Sequence, residues 1–204
     1  MKDLTLTSFA EQVASDSPVP GGGSMAAVCG AFSAALAEMV ANLTKGKKKY
    51  IEAEPEMKEV CSKAMVLRKK LLDDIERDSF SYNKVMEAYK LPKETEDEKE
   101  KRKNVIQESL KIAASVPFEI AKTAFEILPL AESVVARGNA NAVTDGLIAG
   151  MLARTAVLAA LYNVKINLDS IKDENFRNDL WRKVKEIETK TIEYEKKILG
   201  LSQL

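Results

Sequence analysis

Two carboxylates, Asp78 and Asp145, sit where a helical protein could use them for chemistry. Asp78 stands in Glu76-Arg77-Asp78-Ser79-Phe80-Ser81-Tyr82, three residues after Ile75 and four before Tyr82, so on a helix it shares their inward, apolar face. A carboxylate so placed is either paired with a Lys or Arg at a helix crossing or held for proton transfer. Asp145 ends the run Gly138-Asn139-Ala140-Asn141-Ala142-Val143-Thr144-Asp145, where an apolar helical pattern begins. In a first turn it complements the helix dipole with no catalytic purpose, and Asn139 and Asn141 are turn formers by default.

The stretch Pro18-Val19-Pro20-Gly21-Gly22-Gly23-Ser24 offers a different kind of group, the bare backbone. Consecutive glycines can take positive φ and bring amides against a ligand, and Ser24 is placed to cap a helix from about Met25 to Leu43. Unpaired amides at such a helix start attract anions. The ordinary alternative is a Pro-Gly connector ending in a Ser cap. Neither the Gly-x4-Gly-Lys-Ser/Thr spacing nor Gly-x-Gly-x2-Gly after a strand is present, so this is no nucleotide fingerprint. Past the far end of the same helix, Lys45, Lys47, Lys48 and Lys49 form a cationic cluster. It is either a solvated charge run or a hold for a ligand tail carrying several carboxylates.

The chain has 204 residues and no histidine. A Ser-His-Asp triad, a Cys-His dyad and a histidine-ligated zinc are therefore excluded, leaving carboxylates, Lys, Tyr, Cys, Ser and amides. Lys+Arg and Asp+Glu are both 31, which argues against a global basic field for nucleic acid. Cys29 and Cys61 lie in separate helical patterns without metal-ligand spacing and read as free thiols of a reducing compartment. The start Met1-Lys2-Asp3-Leu4-Thr5 lacks an apolar signal core, and the most apolar stretches are broken by Glu38 and Arg154. A cytoplasmic protein without a membrane span is expected.

These groups are positioned by helices. Leu6, Phe9, Ala10 and Val13 mark a short helix over about Thr7 to Ala14. The helix after Ser24 is lined by alanine and glycine on most of its circumference, as is another from about Asn141 to Val164, so both admit close neighbours. A long pattern runs from Pro55 to about Leu91, and Thr95-Glu96-Asp97-Glu98 reads as a capping box for a helix reaching Leu128. Pro117 falls inside that helix and should kink or split it. A last helix runs from about Asp173 to Leu199. No segment alternates with period two, so the expected fold is all-α, one domain over residues 1–204, a bundle of about six long and roughly antiparallel helices.

Taken in order, Pro20-Gly21-Gly22-Gly23-Ser24-Met25-Ala26-Ala27, Met39-Val40, Thr44-Lys45-Gly46-Lys47-Lys48, Asp78 with Ser81-Tyr82, Leu91-Pro92, Ser115-Val116-Pro117, Gly138-Asn139, Asp145 and Asn163-Val164-Lys165-Ile166-Asn167-Leu168 resemble the cyclodeaminase domain of formiminotransferase-cyclodeaminase. The same pattern marks stand-alone formiminotetrahydrofolate cyclodeaminases and methenyltetrahydrofolate cyclohydrolases, and the resemblance covers roughly Thr7 to Asn178.

The resemblance implies an all-α homodimer acting on tetrahydrofolate derivatives, often polyglutamylated, with no metal and no cofactor beyond the folate. It places the catalytic carboxylate at Asp78 and substrate contacts at Gly21, Gly22, Gly23, Ser24, Lys47, Lys48, Tyr82, Asn139, Asp145 and Asn163. It also implies a separate formiminotransferase, since the transferase half is not in this chain. The first expectation is a cyclodeaminase that converts 5-formiminotetrahydrofolate to 5,10-methenyltetrahydrofolate and ammonia. A cyclohydrolase is the near alternative, and a non-catalytic helical folate-binding or scaffold protein the remoter one. A helix of about twenty residues separates the glycine loop from the lysine cluster by roughly 30 Å, which predicts a site shared across a dimer.

Overall fold

Small residues decide the architecture. In the computed structural model, which describes residues 1–202, α2 (Gly22–Thr44) and α6 (Val143–Leu168) form the centre. Ala26, Ala27, Ala34 and Ala37 on α2, and Ala149, Ala153, Ala156 and Ala160 on α6, are fully buried. With only methyl groups between them the helix backbones approach closely, and Gly30 leaves room for Leu71, whose Cδ1 would meet an added Cβ at 3.0 Å.

The remaining helices are α1 (Leu6–Val13), α3 (Glu54–Tyr89), α4 (Glu96–Phe125), α5 (Leu128–Arg137) and α7 (Glu174–Leu199), with 3-10 turns at Lys48–Ala53 and Ala140–Ala142. No strand occurs among the described residues, and the all-α bundle expected from periodicity is the fold. Cross-helix bonds fix its directions. Ser24 near the start of α2 meets Ile75 late in α3, while Cys61 early in α3 meets Asn42 late in α2. Gly22 faces Asn163 near the end of α6, and Thr44 meets Asn139 just before α6 begins. Thus α2 runs antiparallel to both neighbours.

The Thr95 hydroxyl accepts from the Glu98 amide while the Glu98 carboxylate accepts from the Thr95 amide, so the capping box is present. Pro117 does not split α4, which runs unbroken from Glu96 to Phe125. A proline has no N–H, so the carbonyl four residues back, that of Ala113, loses its helical donor. Asn167 at the end of α6 supplies one, its Nδ2 donating to Ala113 O at 2.7 Å.

The start of α2 departs from expectation. Gly22 and Gly23 belong to the helix, Gly21 is its N-cap, and Ser24 lies inside the first turn rather than capping it. The glycines can enter the helix because none of Gly21, Gly22 and Gly23 needs positive φ; Gly46 alone takes it among the described residues. Helices α2 and α6 are also each long and apolar enough to cross a membrane by length and composition alone. Both are core helices of the bundle. They keep an outward apolar stripe, formed by Phe32, Met39 and Leu43 on α2 and Ile148, Met151 and Tyr162 on α6.

Candidate active site

Helix α2 begins with amides that have no intrahelical acceptor: its first helical bond is Met25 N–H to Gly21 O. The amides of Gly22, Gly23 and Ser24, which have no helical acceptor, form the positive end of the helix dipole. What faces them is Asp78, late in α3. A Cβ added to Gly23 would lie 2.2 Å from Asp78 Oδ1, and one added to Gly22 would lie 3.3 Å from Asn163 Nδ2. Gly23 is therefore required by contact rather than by backbone conformation, and the anion drawn to this helix start is the protein's own carboxylate.

Asp78 is partly buried and has no ion pair among the described residues. Burial pushes its pKa above the ordinary aspartate value; hydrogen bonds from the Ser24 hydroxyl and amide pull against that shift, and the charge of Asp74 adds to it. The Ser24 hydroxyl lies 3.2 Å from Asp78 Oδ2. The carboxylate paired with basic groups at a helix crossing is instead Asp74, one turn earlier. It is 3% exposed, Lys70 Nζ lies 2.9 Å from its Oδ2, and Arg77 Nη1 lies 3.2 Å from its Oδ1. Lys70 continues to Thr123 and Arg77 to Glu119, which ties α3 to α4 beneath the site.

One turn after Asp78 on α3, Tyr82 is partly exposed, and Asn163 donates its Nδ2 to Ala159 O while lying against Gly22. The structure thus gathers Gly21, Gly22, Gly23, Ser24, Asp78, Tyr82 and Asn163 at one end of α2. Ser24 and Gly23 are buried, so in a single copy their side of the helix start is turned to Asp78 and not to solvent. Hollows of about 660 Å3 between α3 and α5, and about 600 Å3 beside Tyr50 and Arg137, are lined by other residues than Asp78.

Lys47, Lys48, Asn139 and Asp145 lie at the opposite end, about 34 Å away along α2 by helical rise. Asn139 is buried and spends its polar atoms on the fold. Its N–H donates to Thr44 Oγ1, its Nδ2 donates to Leu43 O, and its Oδ1 accepts from the Asn141 amide. It closes the end of α2 and caps the short turn that leads into α6, the role turn chemistry predicts. Asp145 sits in the first turn of α6, as expected of a dipole-complementing residue. Lys47 and Lys48 are exposed. The Tyr50 hydroxyl accepts from the Ala140 amide at 3.0 Å, and this bond is the main cause that holds its pKa below the ordinary tyrosine value.

The sequence reading missed Ser79 and the Ile75 carbonyl, both within reach of the Ser24 hydroxyl. Their signal was present. Ile75, Asp78 and Ser79 recur at three and four residues along one face of α3, the face that any residue in the first turn of α2 must meet.

The chain is thus an all-α bundle with a histidine-free candidate site, a half-buried carboxylate without an ion pair among the described residues set against a glycine helix start. The family model described as formiminotransferase-cyclodeaminase matches residues 5–186. The chain is 41% identical over 184 residues, 90% of its length and 87% of the relative's, to a methenyltetrahydrofolate cyclohydrolase of Methylorubrum extorquens. It is 32% identical over 175 residues to the formimidoyltransferase-cyclodeaminase of Mus musculus, covering 86% of this chain and 32% of that protein. The crystal structure of formiminotetrahydrofolate cyclodeaminase from Thermotoga maritima superposes with a TM-score of 0.88 at 35% identity, covering 98% of this chain and 96% of the other. The chain belongs to the formiminotransferase-cyclodeaminase family.

Proposed function

We propose that this chain acts on the one-carbon unit between the ring nitrogen and the anilino nitrogen of tetrahydrofolate, with Asp78 as general acid and base. The observation that carries this reading is the placement of Asp78: partly buried, free of any ion pair among the described residues, with burial raising its pKa and α2 amides beside it. A carboxyl group whose pKa burial raises holds a proton more readily than an ordinary aspartate, which is the direction that taking and returning a proton requires.

In the cyclodeaminase reaction the anilino nitrogen of 5-formiminotetrahydrofolate attacks the carbon of the protonated formimino group, and the C=N pair moves onto its nitrogen to give a neutral amine. Asp78 accepts the proton from the attacking nitrogen and returns one to the departing amine. The ring-nitrogen lone pair then expels ammonia and leaves the methenyl cation, whose charge the ionised Asp78 stabilises. Holding both nitrogens in attack geometry supplies much of the remaining rate. No step needs histidine or a metal.

A second reading, methenyltetrahydrofolate cyclohydrolase, is favoured by the 41% identity to the Methylorubrum extorquens enzyme. There Asp78 takes a proton from the water that adds to the same cationic carbon. Incubating the purified protein with each substrate separates the two. Gain of methenyl absorbance from the formimino compound supports the cyclodeaminase, and its loss from the methenyl compound beyond the spontaneous rate supports the cyclohydrolase. Neither change would refute both and leave a folate-binding or scaffold role.

The outward apolar stripe of α2 and α6 supports a homodimer. With the two-fold axis perpendicular to α2, α2 of one copy lies antiparallel to α2 of the next, and the Lys47 and Lys48 end of one faces the Asp78 end of the other. Such a pairing unites the two half-sites, with the lysines on the glutamate tail of a polyglutamylated folate. The formimino group would come from a separate formiminotransferase. Light scattering at micromolar concentration should give the mass of two chains, and a monomeric mass contradicts the pairing.

A further inference from the structure

Ser24 has more partners than a helix cap or a ligand contact requires. Its side chain is fully buried, and its oxygen lies 3.0 Å from the Ile75 carbonyl, 3.2 Å from Asp78 Oδ2 and 3.2 Å from Ser79 Oγ. A hydroxyl has one proton to donate. It can serve the Ile75 carbonyl or an ionised Asp78, but not both at once.

We infer that Ser24 is the positioning residue of Asp78 and not a contact of the substrate: its O–H points to the carboxylate when Asp78 is ionised and swings to the Ile75 carbonyl when Asp78 holds a proton. The inference rests on the acid–base reading of Asp78 given above. In the ionised state Ser24 donates to Oδ2. In the protonated state the carboxyl O–H donates to a Ser24 lone pair and the Ser24 proton turns to Ile75 O. Ser79 can donate to Ser24 in either state. The transferred proton resides on Asp78 alone, and no heavy atom has to move.

Such a rotor solves a definite problem. A buried carboxyl group that must take and return a proton needs both forms satisfied, whereas fixed donors favour the ionised form only. The Ser24 amide is a fixed donor of that kind, and the hydroxyl is the one that can let go.

The other charges around the site are themselves engaged. On α3, Asp74 is held by Lys70 and Arg77, and Arg77 also holds Glu119 of α4. From the N-terminal segment, the Met1 ammonium pairs with Glu76 and Lys2 with Asp73. At this end of α6, Asn163 is neutral and Lys165 pairs with Glu188. Between Gly21 and Ala37, α2 carries no charged side chain.

The test is the 13C titration of the Asp78 carboxyl, assigned by its absence in Asp78→Asn, alongside the pH profile of kcat. Ser24→Ala removes a hydrogen bond from both forms of Asp78, and because the charge-assisted bond to the ionised form is the stronger, the Asp78 midpoint moves up by about one pH unit. Ser24→Cys, a weaker donor of similar shape, gives a shift between that and wild type and decides the matter if the alanine variant does not fold. Ionised Asp78 is the base, so the acid limb of kcat moves to higher pH by the same amount while KM stays unchanged. A midpoint within about 0.2 unit of wild type in the folded variants, or a raised KM with an unmoved midpoint, overturns the inference. A midpoint that moves while the kcat limb does not refutes the acid–base reading of Asp78 and leaves its coupling to Ser24 standing.

Discussion

At the Gly21–Ser24 end of α2, amides of a helix start without helical acceptors meet a carboxylate across a gap that only glycine leaves open. At the Thr44 end, Asn139 closes the Leu43 carbonyl, and Lys47 and Lys48 beyond stand exposed to water. Both ends carry polar groups, yet they are spent differently. Asn139 has its amide and carbonyl engaged in the fold, whereas Asp78 is only partly buried and has no counter-ion among the described residues. The contrast is between an end whose carboxylate is left available and an end whose polar groups are closed by the fold, and under the proposed function it gives each residue named here a distinct signature on substitution.

Gly23→Ala should show the largest effect. The new methyl would occupy the place of Asp78 Oδ1 and displace the carboxylate by an ångström or more. Turnover is expected to fall by about 100-fold or more, with a loss of about 1–3 kcal/mol in stability from overpacking. Near-normal turnover in this variant would break the assignment of the glycine end as the chemical one. At the other end, Lys47→Ala with Lys48→Ala should raise KM for a polyglutamylated folate by roughly tenfold at low salt and leave kcat unchanged, the difference shrinking as salt rises. An equal effect on a monoglutamate would contradict the tail assignment.

Asn139→Ala should cost about 1–3 kcal/mol in urea unfolding by orphaning the Leu43 carbonyl and the Asn141 amide, while kcat stays within a factor of about two of wild type. A large loss of kcat with unchanged stability would return Asn139 to the substrate. The smallest effect concerns pH. Because the folded-state pKa of Asp78 is raised, the native state holds its proton over a window where the unfolded chain has lost it, so stability falls as pH rises through that window. Asp78→Asn lacks this term. The melting temperature of the variant minus that of wild type should therefore grow as pH rises from about 4, by a few degrees at most, and then level off.

Most of the fold was legible because each helix carries its own signals. The capping box at Thr95, Pro55 near the start of α3 and the alanine-rich faces of α2 and α6 are local facts with local consequences. What sequence could not supply was partnership. Whether Pro117 would split α4 depended on Asn167, fifty residues away, donating to the carbonyl that the proline frees. Whether Ser24 was a cap depended on how far the glycines before it enter the helix, which Asp78 and Asn163 decide by pressing against them. Periodicity placed Asp78 and Ile75 on one face of α3, but burial fell to Asp74. The reason is that Asp74 lies within reach of Lys70 and Arg77, four and three residues away on the same helix, and a buried charge settles where it has counter-ions.

The central claim is that Asp78 performs proton transfer while other groups bind, and the most direct test measures both on one variant. Asp78→Asn should bind folate with a Kd within about threefold of wild type and turn over at least 100-fold more slowly, at the low end of the 100- to 10,000-fold range of general acid–base contributions. Folate binding intact with turnover near wild type would contradict the account.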